Sequence, residues 1–207
     1  MYRRRPISLS HRPGRTSCAR PNCGHRLRPP GTGKTYLARQ LATRLTLPWY
    51  SRDAIKESLF DTLGWSDRQR SKELGAASVA VLFSLLTDTL GAGTSCLTES
   101  NFRRTHSSPD FQQLLSATGA EGVQIQCITD GVPLLNRFAA RSSSAERHPG
   151  HCDDQNIDEF RGELLTGRYE PLDLPGPVLT VDTTRFDHVD IDALAAQVSA
   201  LLHPDAP

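Results

Sequence analysis

Acidic residues are missing from the first 28 positions of this sequence, which hold eight arginines. All 23 Asp and Glu residues lie in residues 29–207, so a basic segment precedes an acidic remainder although the formal net charge is only +1. Clustered arginines can neutralise nucleic-acid phosphates. Aromatic residues do not alternate with them here, however, and no helical or strand period orders them, so this feature alone does not predict nucleic-acid binding.

Long apolar runs are also lacking. Residues 79–86 form the longest nearly apolar stretch, which is well short of the roughly 20 residues that a membrane-spanning helix requires. No hydrophobic segment of a signal peptide follows the first arginines. We expect no membrane contact and a cytoplasmic location.

Cysteine is infrequent and shows no pairing pattern. The five Cys residues are odd in number and lack the spacing of a disulfide framework, which favours a reducing compartment. Cys18, Cys23 and His25 are near enough in sequence to suggest zinc ligands, but no second pair of ligands follows them. We therefore expect no structural zinc site.

One glycine-rich stretch stands out, the run Pro-Pro-Gly-Thr-Gly-Lys-Thr over residues 29–35. The phosphate-loop pattern is Gly, any four residues, then Gly-Lys-Ser/Thr; its end is present, but Arg28 occupies the place of its first glycine. Glycines let backbone N–H groups turn towards an anion, and the lysine reaches the outer phosphates. The loop predicts nucleotide binding through Pro30, Gly31, Thr32, Gly33, Lys34 and Thr35.

The apolar strand that normally leads into such a loop is absent from the pattern. Residues 23–28 read Cys-Gly-His-Arg-Leu-Arg, whereas a parallel strand buried on both faces is usually a Val/Ile/Leu run. Residues 1–28 could be a native tail, an organelle-targeting segment, or the product of a translation that enters the true reading frame only near Pro29. We favour the last and predict a disordered or non-native segment, with low order before about residue 26.

After the loop, helical and strand patterns alternate. Leu37, Leu41 and Leu45 recur at a spacing of four, as on one face of a helix. Alternation of this kind predicts an α/β fold with a parallel sheet and helices on both faces. We predict strands at 47–51, 94–99, 123–130 and 177–182, and further helices at 54–63, 66–91, 108–118, 157–165 and 191–202. Another helix is predicted through Leu134, Leu135 and Phe138, continuing into an arginine- and serine-rich stretch at 137–151.

Polar residues follow two of these strands. Asp53 comes after the strand at 47–51, and Glu99 and Asn101 come at the end of the strand at 94–99. Ligands of open parallel sheets gather at the carboxyl ends of the strands, so these positions are candidate site residues. Asp53 could instead cap the following helix, and Glu99 could be an ordinary acidic residue at a strand end.

The loop, the segments Tyr-Ser-Arg-Asp-Ala-Ile-Lys at 50–56 and Leu-Thr-Glu-Ser-Asn-Phe-Arg-Arg at 97–104, and the later arginines together resemble the small P-loop kinases. The resemblance is to the polynucleotide kinase, zeta toxin and chloramphenicol phosphotransferase group, with an AAA-type ATP-binding domain. It covers about residues 29–203 and implies a three-layer P-loop NTPase sandwich whose first strand is poorly encoded. Residues 29–207 would form that domain, with a lid around 137–155.

The resemblance also implies roles for individual residues. Asp53 would accept the proton of the acceptor hydroxyl, Thr35 and Glu99 would hold Mg²⁺, and Lys34 would hold the phosphates of ATP. Lys56 and Asn101 would contact the acceptor, and Glu99 would lie near either the magnesium ion or this substrate. Arg137 and Arg141 would close on the triphosphate, with Arg147, His148 and His151 as alternatives, unless the lid arginines are only a solvated surface.

These roles predict transfer of the γ-phosphate of ATP to a hydroxyl of a small-molecule acceptor. A nucleic-acid end is a weaker candidate because Lys56 stands where polynucleotide kinases carry an arginine, and lysine cannot bind a phosphate in a bidentate manner. Two alternatives remain open at this stage. One is an ATPase or nucleotide switch without an acceptor, and the other is an inactive product of a chain that lacks the first strand and the first glycine of the loop.

Overall fold

The computed structural model describes residues 22–27, 31–142, 144, 147–152, 157–166 and 170–203. Strands and helices alternate along the chain, as predicted. In order they are β1 (Asn22–Leu27), α1 (Lys34–Leu45), β2 (Trp49–Ser51), α2 (Arg52–Leu63), α3 (Arg68–Gly91), β3 (Cys96–Glu99), α4 (Arg104–Thr118), β4 (Glu121–Ile128), α5 (Gly131–Ser142), α6 (Ile157–Thr166), β5 (Val178–Asp182) and α7 (Ile191–Leu202).

The strands form a parallel sheet in the order β2-β3-β1-β4-β5. The chain runs from β1 to β2 on one side, returns through β3, and then crosses β1 to reach β4 and β5. The carboxyl ends of β1 and β3 therefore border the point where the direction of winding reverses, which is where open α/β sheets bind ligands. This arrangement confirms the predicted α/β class.

Strand β1 is the main departure from the sequence interpretation. Low order was predicted before about residue 26, yet Asn22–Leu27 pairs with β4 at all six residues and with β3 at Cys23 and Gly24. Backbone N–H and C=O groups form a parallel ladder whatever the side chains are, so the gap between β3 and β4 can order a strand with an unusual sequence. The disordered or non-native character predicted for the rest of 1–28 lies outside the described residues.

Hydrophobic residues fill both faces of the sheet. On one face, Leu37 and Leu41 of α1 pack with Val123, Ile125 and the apolar side of α7. The opposite face has its own cluster, which includes Leu82, Leu86 and Leu90 of α3 and Phe111, Leu114 and Leu115 of α4. Alternation along β3 sends Cys96 to the second cluster and Leu97 to the first. Burial on both faces fixes the register of the strands.

Three helix starts differ from the predictions. Helix α2 begins at Arg52, and its cap is the side chain of Ser51, which accepts a hydrogen bond from Ala54 N at 3.3 Å; Asp53 is therefore not the cap. Helix α3 begins at Arg68, two residues after the predicted start at 66, and Asp67 caps it by accepting a hydrogen bond from Arg70 N at 2.9 Å. Helix α4 starts at Arg104, four residues before the predicted Ser108, and holds Pro109 within it.

Helix α3 is long and apolar enough in composition to cross a membrane, which the 79–86 stretch alone does not suggest. A core helix can satisfy the same criteria. The face that carries Leu82, Leu86 and Leu90 is buried against β3 and α4, which is the packing of a core helix.

Candidate active site

The glycine-rich loop has the backbone that its sequence predicts. Gly31 and Gly33 have φ values of 94° and 75°, in the left-handed region that favours glycine. Gly33 is the N-cap of α1 and has no side chain to cap the first turn, so the positive end of the helix dipole faces the loop. A Cβ at Gly33 would also collide with the Phe186 ring. Pro30 lies outside the described residues.

Lys34 begins α1 and its side chain is buried, with only 4% of the residue exposed. Burial lowers the pKa of its ammonium group, the carboxylates of Glu99 and Asp53 partly oppose this shift, and the nearby charges of Arg141 and Arg147 add to it. These couplings mean that the loop lysine and both predicted carboxylates share one electrostatic environment. The structure thus brings together three site residues that lie as far apart as positions 34 and 99.

Glu99 lies at the end of β3 with 1% of its surface exposed. Its Oε1 atom accepts hydrogen bonds from Ser51 Oγ at 2.6 Å and from Thr35 Oγ1 at 3.2 Å. Two hydroxyls and a carboxylate form an all-oxygen set, which is the chemistry that Mg²⁺ prefers when phosphates supply further ligands. Thr35 and Glu99 therefore fit the predicted magnesium site. The described residues contain no group of three or more His, Cys, Asp or Glu that could hold a metal ion.

Asp53 lies in the first turn of α2 and forms an ion pair with Arg147, whose Nη1 is 3.0 Å from Asp53 Oδ2. Burial is the largest influence on this carboxyl and raises its pKa. The positive charges of Arg147 and Lys34, that of His151 when it is protonated, and the hydrogen bond from Arg147 together outweigh burial and hold the pKa well below its usual range. Asp53 is therefore ionised at neutral pH, as a proton acceptor must be.

Residues 147–151 dock on α2 through several polar contacts, and we call this stretch the α2-docking segment. Arg147 also approaches Glu57 at 3.6 Å, and His151 Nε2 lies 2.9 Å from Glu57 Oε1. Burial lowers the pKa of His151 despite Glu57, while the hydrogen bond from His151 lowers the pKa of Glu57. Both lowered pKa values agree with a neutral His151 whose Nε2–H donates a hydrogen bond to the ionised Glu57 carboxylate. His148 stacks on Phe60, with ring centroids 4.9 Å apart.

The arginines predicted for the lid differ in the groups that they contact. Arg137 and Arg141 both line the cavity beside the loop. Arg137 donates from Nη1 to the Thr183 carbonyl at 2.8 Å and from Nη2 to the Thr184 carbonyl at 2.6 Å, so it ties α5 to the segment after β5. Of the arginines considered, Arg147 is the one paired with Asp53.

The two predicted acceptor residues line a second cavity, next to Asp53. Lys56 is nearly buried, donates from Nζ to Ser71 Oγ at 2.9 Å, and lies over the Phe60 ring at 5.1 Å. Asn101 Oδ1 is buried without a hydrogen-bond partner. The cavity beside the loop measures about 540 Å³ and this one about 350 Å³. Lys34 lines the first cavity and Asp53 lines the second, and the charges of the two residues interact.

Sequence reasoning passed over several residues of this region, namely Ser51, Arg52, Glu57 and Phe186. Ser51 carried a detectable signal, because a serine at a strand end before a helix is a typical N-cap. Phe186 and Glu57 carried none, because their proximity to Gly33 and to His151 depends on contacts between segments more than 90 residues apart in sequence.

Replacing Arg147 by Gln should lower stability more at pH 7 than at pH 3, because pH 3 lies between the unfolded and folded pKa values of Asp53, where part of the contribution of the ion pair is already lost. The pKa of Asp53 is lower in the folded chain than in the unfolded chain, where Asp titrates near 3.9. The contribution of the pair is therefore present above that value and is lost as the pH falls through the folded pKa. We expect a melting temperature several degrees below that of the wild type at pH 7, at about 2–4 °C per kcal/mol.

Thermal melts at pH 7 and pH 3 check this, with Arg185→Gln as a control. Arg185 forms an exposed pair with Asp187, and such surface pairs contribute little. If the difference between Arg147→Gln and the wild type were equal at both pH values, Arg147 would act through packing and not through charge.

Known proteins with similar sequences and structures agree with the geometry of the phosphate loop and its neighbouring residues. Residues 29–164 match the AAA domain family AAA_33. No curated protein matches the chain. Among solved structures, a presumed kinase from Chloroflexus aurantiacus J-10-fl is 38% identical, with a TM-score of 0.82, and the match covers 88% of this chain and 98% of that one.

More distant structures share the fold. The APS kinase CysC of Mycobacterium tuberculosis is 18% identical with a TM-score of 0.52, covering 89% of this chain and 98% of that one. A PezAT toxin-antitoxin structure of Streptococcus pneumoniae is 16% identical with a TM-score of 0.53, covering 94% and 83%. The chain belongs to the AAA domain family AAA_33, and it is a small P-loop kinase in fold and family.

Proposed function

We propose that the protein is an ATP-dependent phosphotransferase that moves the γ-phosphate to a hydroxyl group of a small molecule. One observation carries this proposal. The charges of Asp53 and the loop lysine Lys34 interact, and the two residues line different cavities, Lys34 the one beside the phosphate loop and Asp53 the other. A kinase needs this layout, because the donor phosphate and the acceptor hydroxyl must approach from opposite sides of the transferring group.

The loop side provides the donor site. Backbone N–H groups around Gly31 and Gly33, the first turn of α1, and the Lys34 ammonium group would bind the β- and γ-phosphates of ATP. Thr35 and Glu99 would hold Mg²⁺, with Ser51 keeping Glu99 in place. When bound, the ion neutralises negative charge on these phosphates.

The acceptor side provides the base. The Asp53 carboxylate takes the proton of the acceptor hydroxyl while the hydroxyl oxygen forms a bond to the γ-phosphorus. The bond between that phosphorus and the bridging oxygen to the β-phosphate breaks, and ADP leaves. In the structure Arg147 Nη1 contacts Asp53 Oδ2 at 3.0 Å, so the acceptor hydroxyl either binds the other carboxylate oxygen, Oδ1, or displaces the guanidinium from Oδ2. Arg147 can then stabilise charge on the transferring phosphoryl group.

The region 137–155 provides the proposed lid. Arg141 lines the donor cavity and is close enough to lower the pKa of Lys34, so it is placed to contact the triphosphate. Arg137 anchors the same helix to the carbonyls after β5. Arg141 is therefore the stronger candidate for a direct catalytic contact, and Arg137 supports its helix.

Fold relatives favour a small acceptor. The M. tuberculosis APS kinase was solved in complex with AMPPNP and APS, so this fold can hold a nucleotide and a small second substrate together. The acceptor cavity of about 350 Å³ has the size of a small-ligand pocket. Both points support a small-molecule acceptor over a macromolecular one.

Two measurements test the proposal. Calorimetric titration with AMPPNP and Mg²⁺ should show saturable binding, and γ-labelled ATP incubated with a panel of hydroxylated compounds should label at least one of them. Absence of nucleotide binding would overturn the proposal. ATP hydrolysis at full rate without any acceptor would identify an ATPase in its place.

A further inference from the structure

The guanidinium group of Arg147 lies between two carboxylates of α2. Among its contacts, Nη1 is 3.0 Å from Asp53 Oδ2 and 3.6 Å from Glu57 Oε1. Asp53 and Glu57 are four residues apart in α2, so their side chains are neighbours on one face of the helix. A shift of about 0.7 Å would bring Nη1 to the usual N–H···O distance of ~2.9 Å from Glu57. Arg147 can therefore change partner without leaving the site.

Glu57 is held in place by the other end of the α2-docking segment. His151 Nε2 lies 2.9 Å from Glu57 Oε1, the same oxygen that faces Arg147. The hydrogen bond from His151 is the largest influence on the Glu57 carboxyl and lowers its pKa. The charge of Arg147 adds to this shift, while burial and the charge of Asp53 oppose it. Glu57 is thus ionised at neutral pH and competes with Asp53 for Arg147.

Close packing brings the docking segment to these carboxylates. A Cβ at Gly150 would lie 2.9 Å from the Phe60 ring and 3.0 Å from His148 Nδ1. The Gly150 N–H donates to His148 Nδ1 at 3.0 Å, and the His148 ring stacks on Phe60. Because this backbone lies against α2, Arg147 and His151 reach Glu57 from either side of Gly150.

We propose that Glu57 is a positioning residue, which retains the Arg147 guanidinium when Asp53 becomes neutral during phosphoryl transfer. This inference rests on the proposed function, because it concerns the transfer step at the same site. The acceptor proton moves to Asp53, the acceptor oxygen bonds to the γ-phosphorus, and ADP leaves with the bridging oxygen. Asp53 then no longer attracts Arg147 as an ion, whereas Glu57 still does.

Retention by Glu57 has two consequences for the reaction. Arg147 stays beside the transferring phosphoryl group, and it pairs with Asp53 again once that carboxyl releases its proton to water. Sharing Arg147 also makes Asp53 a better base, because an ion pair with a guanidinium favours the ionised form of a carboxyl, whereas a neighbouring negative charge favours the protonated form.

Thermal melts of the full chain at pH 7 test the partner change without any substrate. Asp53→Asn imitates the neutral, protonated Asp53. In the wild-type background Glu57→Gln should change the melting temperature little, because Arg147 keeps Asp53 and the amide oxygen still accepts from His151. In the Asp53→Asn background the same substitution removes the remaining carboxylate from a side chain that is only 8% exposed. We expect a loss of several degrees there, since a buried charge without its partner is costly.

The matched control is Asp61→Asn. Asp61 also lies on α2 and faces the docking segment, but it contacts His148 at 3.2 Å. Its substitution should have the same effect in both backgrounds. A double variant of Asp53 and Glu57 that does not fold, while both single variants do, is the predicted result in its extreme form. An equal effect of Glu57→Gln in the two backgrounds would show that another group holds Arg147, and the inference would be wrong.

Kinetics with a labelled acceptor give a second readout. Glu57→Gln should lower kcat about 10-fold, as expected for loss of a hydrogen bond to a charged group, with KM for ATP unchanged. Glu57→Asp keeps the charge and should recover part of this loss. In the Arg147→Gln background Glu57→Gln should have no further effect; a full additional loss would contradict action through Arg147. Absence of transfer in the wild type counts against the proposed function instead, and the melts still decide whether Glu57 holds Arg147.

Discussion

Asp53→Asn should lower phosphoryl transfer by about 10²–10⁴-fold, the usual contribution of a general base, while ATP still binds. Asparagine keeps the shape of the side chain but cannot take the proton of the acceptor hydroxyl. The pKa of Asp53 lies well below its usual range, so in the wild type this group is available as a base at all pH values near neutral. The loss should therefore be in kcat and not in the affinity for nucleotide.

The affinity for ATP gives an independent readout of the same variant. Asp53 lies close enough to Lys34 for their charges to interact, so its carboxylate also repels a γ-phosphate held by that lysine. Removing this charge should leave the affinity for AMPPNP unchanged or slightly higher. A purely structural role for Asp53 would lower nucleotide affinity and turnover together.

The matched control is Asp61→Asn, two turns further along α2. Its carboxylate is 72% exposed and contacts His148 at 3.2 Å, away from the cavities described. Turnover of this variant should equal that of the wild type, with radiolabel transfer from ATP as the assay for both. Unchanged turnover in Asp53→Asn would remove Asp53 from the mechanism.

Lys34→Met should lower kcat/KM for ATP by about 10²–10³-fold, the typical effect of deleting one donor to developing charge. Methionine fills a similar volume at this buried position, so the packing of α1 is kept while the ammonium group is removed. Calorimetry should also show weaker binding of AMPPNP, because the lysine contacts the phosphates in the ground state as well.

The pH dependence adds a second test of Lys34. Burial lowers the pKa of its ammonium group, so the charged form is lost at a lower pH than for an ordinary lysine, near 10.4. We expect kcat/KM, which reports the free enzyme, to fall on the alkaline side below that value. The control Arg44→Met changes a basic residue on the same helix that pairs with Asp192, and its kcat/KM should match that of the wild type. Wild-type kinetics in Lys34→Met would contradict the phosphate-loop assignment.

Most elements of the fold could be predicted because their patterns are local. The Leu37, Leu41 and Leu45 spacing marks α1, and the alternation of Val123, Ile125 and Cys127 marks β4. The largest error was β1, whose polar sequence is ordered by pairing with β3 and β4. A periodicity argument considers the side chains of one segment, whereas a ladder depends on the backbone of its neighbours.

The candidate site likewise combines residues that local sequence patterns predict with contacts that such patterns do not predict. Lys34, Asp53 and Glu99 could be proposed because each follows a loop or strand end with a recognisable pattern, and the structure places them in one electrostatic environment. Their catalytic roles stay predictions. The pairing of Arg147 with Asp53 could not be proposed, because it depends on how the α2-docking segment approaches α2.

The glycine-rich loop, the parallel α/β class and the order of the strand-end acids follow from the amino-acid sequence alone, because glycine conformation, apolar periodicity and helix caps act within a few residues. The central position of β1, the ion-pair partner of Asp53 and the burial of Asn101 Oδ1 without a hydrogen-bond partner were decided only by the tertiary structure. They arise when segments distant in sequence exclude water together, since a charge or backbone group is then stabilised by whichever partner the fold brings within hydrogen-bond distance.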